Sequence, residues 1–115
     1  MTILSEIQTV IAPLNIPVET GFFSDEAPDT YIVVVPMSDT YGLHADNKPQ
    51  IDVQEVRISL FTKENYTQIK NSVISALIAG EFTITGRQYI GHDTDAGYFQ
   101  YNIDVSKFYE IQEEQ

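Results

Sequence analysis

The two histidines of this chain are the side chains best suited to chemistry, because each has carboxylates beside it in sequence. They lie in the segments His44-Ala45-Asp46 and His92-Asp93-Thr94-Asp95. Imidazole and carboxylate together are common ligands of metal ions. Neither spacing matches a known ligand template, and Asp also favours turns because its side chain bonds to nearby backbone. We therefore predict no metal site and interpret both segments as loops.

The residue patterns of the common enzyme classes do not occur in the sequence. There is no Cys, no Ser lies in a Gly-x-Ser-x-Gly context, and no glycine-rich phosphate loop is present. The acidic turn over residues 91–97 lacks the twelve-residue ligand series and the terminal Glu of a calcium loop. We predict that the protein is not an enzyme and that it has neither a cofactor nor a small-molecule substrate.

Charge is the strongest feature of the composition. Seventeen acidic residues stand against six basic ones, which gives a net charge of −11, and no Lys or Arg precedes Lys48. Binding to DNA phosphates needs a cationic face that releases counterions, so we predict no specific DNA binding. The acidity favours either a basic partner or simple solubility. No apolar run approaches 18 residues, and the first residues lack a basic flank, so we expect neither a membrane span nor a secretory signal.

Helical periodicity occurs in two segments. Apolar residues recur at helical spacing from Ile3 to Leu14, and Pro13 is expected to end this helix. A second helix is predicted to open at Asn65 and to stop at Gly80. Its predicted buried stripe consists of Tyr66, Ile69, Val73, Ala76 and Leu77.

Strand patterns account for most of the remaining chain. In the last predicted strand Phe99, Tyr101, Ile103 and Val105 alternate with polar residues, which predicts one buried and one wet face. The β-branched run over residues 31–35 predicts a strand in the middle of the sheet, closed by Pro36. In the strand predicted over residues 50–62, the apolar residues change from odd to even positions near residues 54–55, which predicts a β-bulge. The predicted strands cover residues 18–22, 31–35, 50–62, 82–90 and 98–108.

The polar segment from Ser38 to Pro49 is predicted to be a long loop. Loops of about twelve residues without structure of their own are often functional. Tyr41, Leu43 and His44 in this segment suit contact with a partner. The alternative is that Tyr41 and Leu43 fold back onto the core.

Three further residues are interface candidates. His92 and Asp93 lie at the predicted tip of the last hairpin, where they are available to a neighbour. Arg87 lies within a predicted strand of a strongly acidic protein. It suits a salt bridge to an acidic loop of a neighbouring subunit, and the alternative is a surface charge paired with Asp or Glu of its own chain.

These elements predict a single α+β domain over residues 1–115. We expect a mainly antiparallel or mixed sheet of about four to five strands, with two helices packed on one face. The predicted order is α-β-β-β-α-β-β. Such a sheet has the character of a surface that contacts other proteins.

Several segments resemble the tail-terminator, or tail-to-head joining, proteins of long-tailed phages and Gram-positive prophages. The likeness is one of strand texture and element order over nearly the whole chain, and it contains no catalytic motif. The segments are Pro28-Asp29-Thr30-Tyr31-Ile32-Val33-Val34-Val35-Pro36, Glu55-Val56-Arg57-Ile58-Ser59-Leu60-Phe61, Arg87-Gln88-Tyr89-Ile90-Gly91-His92 and Tyr98-Phe99-Gln100-Tyr101-Asn102-Ile103-Asp104-Val105.

The resemblance implies a subunit of a homo-oligomeric ring, usually a hexamer, in the tail or neck of a virion. Such a ring caps the major tail tube protein and joins it to the head-connector protein, and DNA passes through it without specific binding. It would be assembled in the cytoplasm of the bacterial host. Two alternatives stay open: another neck or minor tail component, and an acidic protein that mimics DNA to inhibit a nucleic-acid enzyme.

Overall fold

The computed structural model describes the backbone of residues 3–20, 28–45 and 48–110, and the side chains of these ranges except residues 40–50. Within them the chain forms two α-helices, a short 3-10 turn and five strands, in the predicted order. The elements are α1 (Ile3–Ile11), the 3-10 turn (Ala12–Leu14), β1 (Val18–Thr20), β2 (Thr30–Ala45), β3 (Lys48–Thr62), α2 (Tyr66–Ala79), β4 (Thr83–His92) and β5 (Phe99–Glu110). The predicted α+β fold class is thus confirmed.

The five strands form one mixed sheet in the order β1-β2-β3-β5-β4. β1 pairs with β2 in parallel, and the other three pairings are antiparallel. The β-branched run over residues 31–35 lies in β2, between β1 and β3, as predicted for an internal strand. The strand predicted over residues 18–22 is seen as β1, and its last two positions lie outside the described residues.

Both helices pack on the same face of the sheet, which we call the helix-covered face. α1 buries Ile3, Ile7 and Ile11, which follow one another at four-residue spacing, and α2 buries Val73 and Leu77. Burying one such side chain contributes roughly 1.5–3 kcal/mol. The sheet contributes to the same core Ile32, Val34, Val56, Ile58, Leu60, Tyr101, Ile103 and Val105.

The first helix ends near Pro13, as the sequence predicts. The α-helical part stops at Ile11, and Pro13 lies in the 3-10 turn that follows. Asn15 closes this turn in the left-handed conformation, with its N–H donating to the carbonyl of Ala12 at 3.0 Å.

The second helix has the predicted start and a different reason for its stop. At the start, the Asn65 side chain accepts a hydrogen bond from the Thr67 N–H at 2.9 Å. At the end, the left-handed residue is Glu81 (φ 68°), and Phe82 N–H donates to the Leu77 carbonyl at 3.0 Å, as in a Schellman motif. Gly80 has an ordinary negative φ of −83°. Its lack of a side chain instead admits α1, because a Cβ there would lie 2.7 Å from Cγ1 of Val10.

The contact between Gly80 and Val10 makes a testable prediction about stability. Gly80→Ala should lower the free energy of unfolding by about 1–2 kcal/mol, because β-branched Val10 has little rotamer freedom to move aside. Urea unfolding would measure the loss. In a Val10→Ala background the same substitution should cost less, and an unchanged cost there would contradict the steric explanation.

The prediction of a long loop from Ser38 to Pro49 is wrong, and so is the prediction that Pro36 closes the strand. β2 continues to Ala45 and β3 begins at Lys48, so the two strands form a long antiparallel hairpin. Pro36 lies opposite Val56 within β2, next to a bulge. Pairing with β3 supplies hydrogen bonds that the polar composition of this segment does not reveal. The hairpin helps to make the molecule elongated, with principal extents of 55 × 24 × 23 Å.

The prediction of a β-bulge in the long strand near residues 54–55 is wrong, because the bulge at that level of the sheet lies on the neighbouring strand β2. The register between β2 and β3 shifts between Pro36 and Ser38, so Met37 is the extra residue. β3 itself pairs with β5 without interruption over residues 51–62. The frame slip in its apolar pattern therefore marks a change of face, with Ile51 and Val53 turned away from the helices.

Candidate interaction surface

The face of the sheet opposite the helices carries no described helix, and we call it the open face. Residues directly opposite one another on paired strands point to the same side, so the register defines the members of this face. They are Glu19 on β1; Tyr31, Val33, Val35 and Ser38 on β2; Ile51, Val53, Glu55, Arg57, Ser59 and Phe61 on β3; Gln100, Asn102, Asp104, Ser106, Phe108 and Glu110 on β5; and Thr83, Gly86, Gln88 and Gly91 on β4. The polar face predicted for β5 is part of this surface, but it is not wet throughout, because the row formed by Val33, Ser59 and Asn102 is buried.

An aromatic pocket occupies one end of the open face. Tyr31 and Phe61 stack with ring centroids 4.8 Å apart, and Tyr98 stands nearly perpendicular to both, at 5.4 and 6.5 Å. The Tyr98 hydroxyl donates to the Pro28 carbonyl at 2.5 Å, which fixes the ring. Burial raises the pKa of Tyr31 above its usual value, and the neighbouring Tyr98 adds a smaller shift in the same direction. The cavity measures about 420 Å³, and its wall includes Tyr31, Phe61, Ile90, His92, Tyr98 and Gln100.

The turn between β4 and β5 forms one rim of this pocket. Asp93 N–H donates to the Tyr98 carbonyl at 2.8 Å, and Gly97 N–H donates to the Asp93 carbonyl at 2.6 Å. Oδ1 of Asp93 accepts from the N–H groups of Asp95 and Ala96 at 3.0 and 3.2 Å. The Asp93 carboxylate therefore holds the turn together.

An ion pair lies at the centre of the open face. Arg57 donates from Nε and a terminal nitrogen to the two carboxylate oxygens of Asp104, at 2.9 and 3.1 Å. The hydrogen bond to Asp104, together with its charge, raises the pKa of Arg57 above its usual value. Both side chains are partly exposed, so the pair adds little to stability. It does make the centre of this face neutral in a protein of net charge −11.

Phe108 lies toward the other end of the open face. Its side chain is 63% exposed, the largest exposed fraction among the described large hydrophobic residues. It lies opposite Val53. Our sequence analysis missed this residue, although a signal was present. The buried alternation of β5 runs through odd positions to Val105, and Phe108 falls on an even position, which places it on the opposite face.

A half-buried polar cluster lies on the helix-covered face. Lys107 Nζ donates to Oε2 of Glu6 at 2.8 Å and to the Gly80 carbonyl at 3.1 Å. The Tyr109 hydroxyl donates to the same Glu6 oxygen at 3.2 Å. Burial, and then the charge and hydrogen bond of Glu6, raise the pKa of Tyr109 far above its usual value. This cluster joins α1, β5 and the end of α2, and its role is structural.

The residues predicted for an interface do not come together at one place. His92 lines the aromatic pocket and packs on Phe99, with ring centroids 4.3 Å apart. Arg87 is exposed on the edge strand β4 and forms none of the ion pairs found among the described side chains. The other three predicted residues, Tyr41, Leu43 and His44, belong to β2, and their side chains lie outside the described set.

Two further properties of the described residues bear on function. No group of three His, Cys, Asp or Glu side chains in this part of the chain is arranged to hold a metal ion. Neither of the two described helices is long and apolar enough to cross a bilayer.

Comparison with known proteins gives a likeness in fold alone. No family model matches the sequence, and no curated protein matches it. Among solved structures, a chain from the virion of a native gene transfer agent particle has a similar fold, with a TM-score of 0.54 and 11% sequence identity. The alignment covers 93% of this chain and 90% of that chain. The similarity thus extends over nearly the whole of both chains and is not confined to a common supersecondary unit.

Proposed function

We propose that this protein is a structural component of a phage or prophage virion, specifically a tail terminator. Residues 1–115 would form one subunit of a ring, with a hexamer as the expected size. The observation that carries the proposal is the likeness in fold to a virion chain over nearly the full length of both chains. The resemblance of the strand segments to tail-terminator proteins supports the same conclusion.

The shape of the subunit suits an assembly role. One sheet face carries no helix among the described residues, and the β2–β3 hairpin extends an already elongated molecule. Tyr41, Leu43 and His44 lie in the β2 arm of that hairpin, while Arg87, His92 and Asp93 lie on β4 and its turn. We propose that these two regions contact the tail tube protein, the head connector and neighbouring ring subunits.

The acidity of the chain also suits a ring through which DNA passes. Six copies would carry a formal charge of about −66, which is six times −11. A negative lumen releases no counterions on contact with DNA, so DNA slides through without specific binding. In this proposal the protein is not an enzyme, needs no cofactor and acts in the neck of the virion after assembly in the host cytoplasm.

Deleting the gene from its phage or prophage tests this function. We expect DNA-filled heads and separate, uncapped tails in electron micrographs of the lysate, because the joining ring is missing. Resupplying the protein to such a lysate should restore joined particles, with a ring visible at the end of the tube.

Other results of the deletion would point elsewhere. Complete, infectious virions without the protein would contradict any structural role in the neck. Capped tails of normal length that fail to join to heads would favour another neck component. No effect on particles, together with capture of a nucleic-acid enzyme, would favour the DNA mimic.

A further inference from the structure

We propose that free copies of this protein pair through their open faces as a twofold-symmetric dimer, with Phe108 of each copy seated in the aromatic pocket of the other. This pairing does not depend on the ring. It would cover the open face before the subunit meets its partners in the virion.

The positions of the pocket and of Phe108 carry the first part of the argument. Gln100, which lines the pocket, and Phe108 are eight residues apart on β5, or about 27 Å at 3.4 Å per residue. Asp104 lies midway between them, and its partner Arg57 lies midway between Phe61 and Val53 on β3. The ion pair therefore lies midway between the cavity and the protruding ring of Phe108.

Symmetry then decides the kind of assembly. The pocket opens on the same side of the sheet from which the Phe108 side chain projects. Phe108 of one copy can therefore enter the pocket of another copy only when the two open faces oppose each other. A twofold axis near the Arg57–Asp104 pair satisfies both contacts at once, which is the self-complementary arrangement of an isologous dimer. The 60° rotation between neighbours of a hexameric ring cannot oppose these faces. The dimer is therefore distinct from the ring and must open for the ring to form.

The pocket has the size and chemistry for a phenylalanine ring. A dry cavity of about 150 Å³ accepts benzene, and the cavity here measures about 420 Å³. Its walls include the rings of Tyr31, Phe61 and Tyr98, and edge-to-face contacts between aromatic rings at 4.5–7 Å are favourable. An aromatic side chain inserted into a pocket is the usual form of an interface hot spot.

Charge on the open face permits close approach of two acidic chains. Between the pocket and Phe108, the described charged side chains on this face are Arg57, Asp104, Glu55 and, on the edge strand β1, Glu19. The first two neutralise each other, and the Thr85 hydroxyl donates to Glu55 at 3.2 Å. The twofold axis places Glu55 level with the partner copy's Ser59, away from the second Glu55. Little charge repulsion therefore arises at the centre of the interface, whereas Glu110 beyond Phe108 comes near Asp93 at the partner copy's pocket, a repulsion that added salt would screen.

The area of this face predicts a reversible dimer. Four strands spaced about 4.8 Å apart along about 27 Å give roughly 500 Å² per copy and roughly 1,000 Å² for the pair. That total lies at the lower limit for specific interfaces, so the dimer is expected to dissociate readily. Because the two copies repel at long range, added salt should strengthen the pairing.

Light scattering and sedimentation over a concentration series would test the pairing. We expect a dimer of about 26 kDa, twice the 13.0 kDa chain, that tightens with salt. Phe108→Ser should weaken it by roughly tenfold or more. Since Phe108 is exposed, this substitution leaves the core intact. The matched control is Ile78→Ser, which alters a 59% exposed residue of α2 and should leave the dimer unchanged.

A mixing experiment tests the twofold exchange itself. Ala96→Trp places a large side chain at the pocket wall and should also weaken the homodimer. A mixture of Phe108→Ser and Ala96→Trp should pair more tightly than either variant alone, because one intact Phe108 then meets one intact pocket. A monomeric wild type at every concentration would overturn the proposal. So would a dimer or hexamer that Phe108→Ser leaves unchanged, or a mixture no tighter than its parts.

Discussion

Ile58→Ala is expected to lower the free energy of unfolding by about 2–5 kcal/mol. Ile58 has no exposed surface and lies in β3, between Val34 on β2 and Ile103 on β5, both of which are also buried. Removing its side chain leaves a cavity in the core between the sheet and the helices, where neighbouring strands hold the backbone and limit collapse. A loss of this size is a large part of the stability of a small domain. Urea unfolding at a fixed protein concentration would measure it.

Two control variants bound this expectation. Ile58→Val removes a single methyl group and should cost about 0.5–1.5 kcal/mol. Ile78→Ala removes a side chain of the same type from the exposed side of α2 and should change stability by less than about 0.5 kcal/mol. Equal losses at residues 58 and 78 would contradict the core described here.

Lys107→Ala is expected to lower the free energy of unfolding by about 2 kcal/mol. Its Nζ donates to the Glu6 carboxylate and to the Gly80 carbonyl, and it lies 4.7 Å from the centre of the Phe82 ring. The substitution leaves a mostly buried carboxylate with a tyrosine hydroxyl as its remaining described donor. Breaking such a pair on one side costs more than the pair itself contributes. Thermal or urea unfolding would detect the loss.

An exposed ion pair of the same kind provides the control for Lys107. Lys63 lies 3.7 Å from Asp29, both side chains are well exposed, and Lys63→Ala should cost no more than about 0.5 kcal/mol. The double variant Glu6→Ala, Lys107→Ala should lose less than the sum of its two single losses. Additive losses would show that Lys107 acts through packing alone.

The sequence correctly predicts those helices and strands that interactions between nearby residues stabilise. The strict alternation that starts at Phe99 is visible in the sequence because period-two burial needs only a neighbouring strand and one covered face. The start of α2 is visible for a similar reason, since the Asn65 side chain caps the N–H of Thr67 two residues away. The order of helices and strands, and hence the α+β class, follows from such signals.

The β2–β3 hairpin shows where local patterns fail. Residues 38–49 are polar and follow a proline, and these features favour a loop in an isolated segment. In the folded chain, β3 supplies backbone partners along this segment, and the extra residue Met37 accommodates the proline in the strand. Pairing with β3 makes this segment a strand, and the composition of the segment alone does not reveal that pairing.

The sequence by itself determined the fold class, the acidity and the polar face of β5. Only the tertiary structure decided which face stays open and what lies on it. Arg57 and Asp104 are 47 positions apart, and Lys107 and Glu6 are 101 apart, so strand order and register alone bring each pair together. The same holds for the aromatic pocket, which joins β2, β3 and the β4–β5 turn. Side-chain type is local information, but a surface is made by distant segments whose alignment depends on the packing of the whole core.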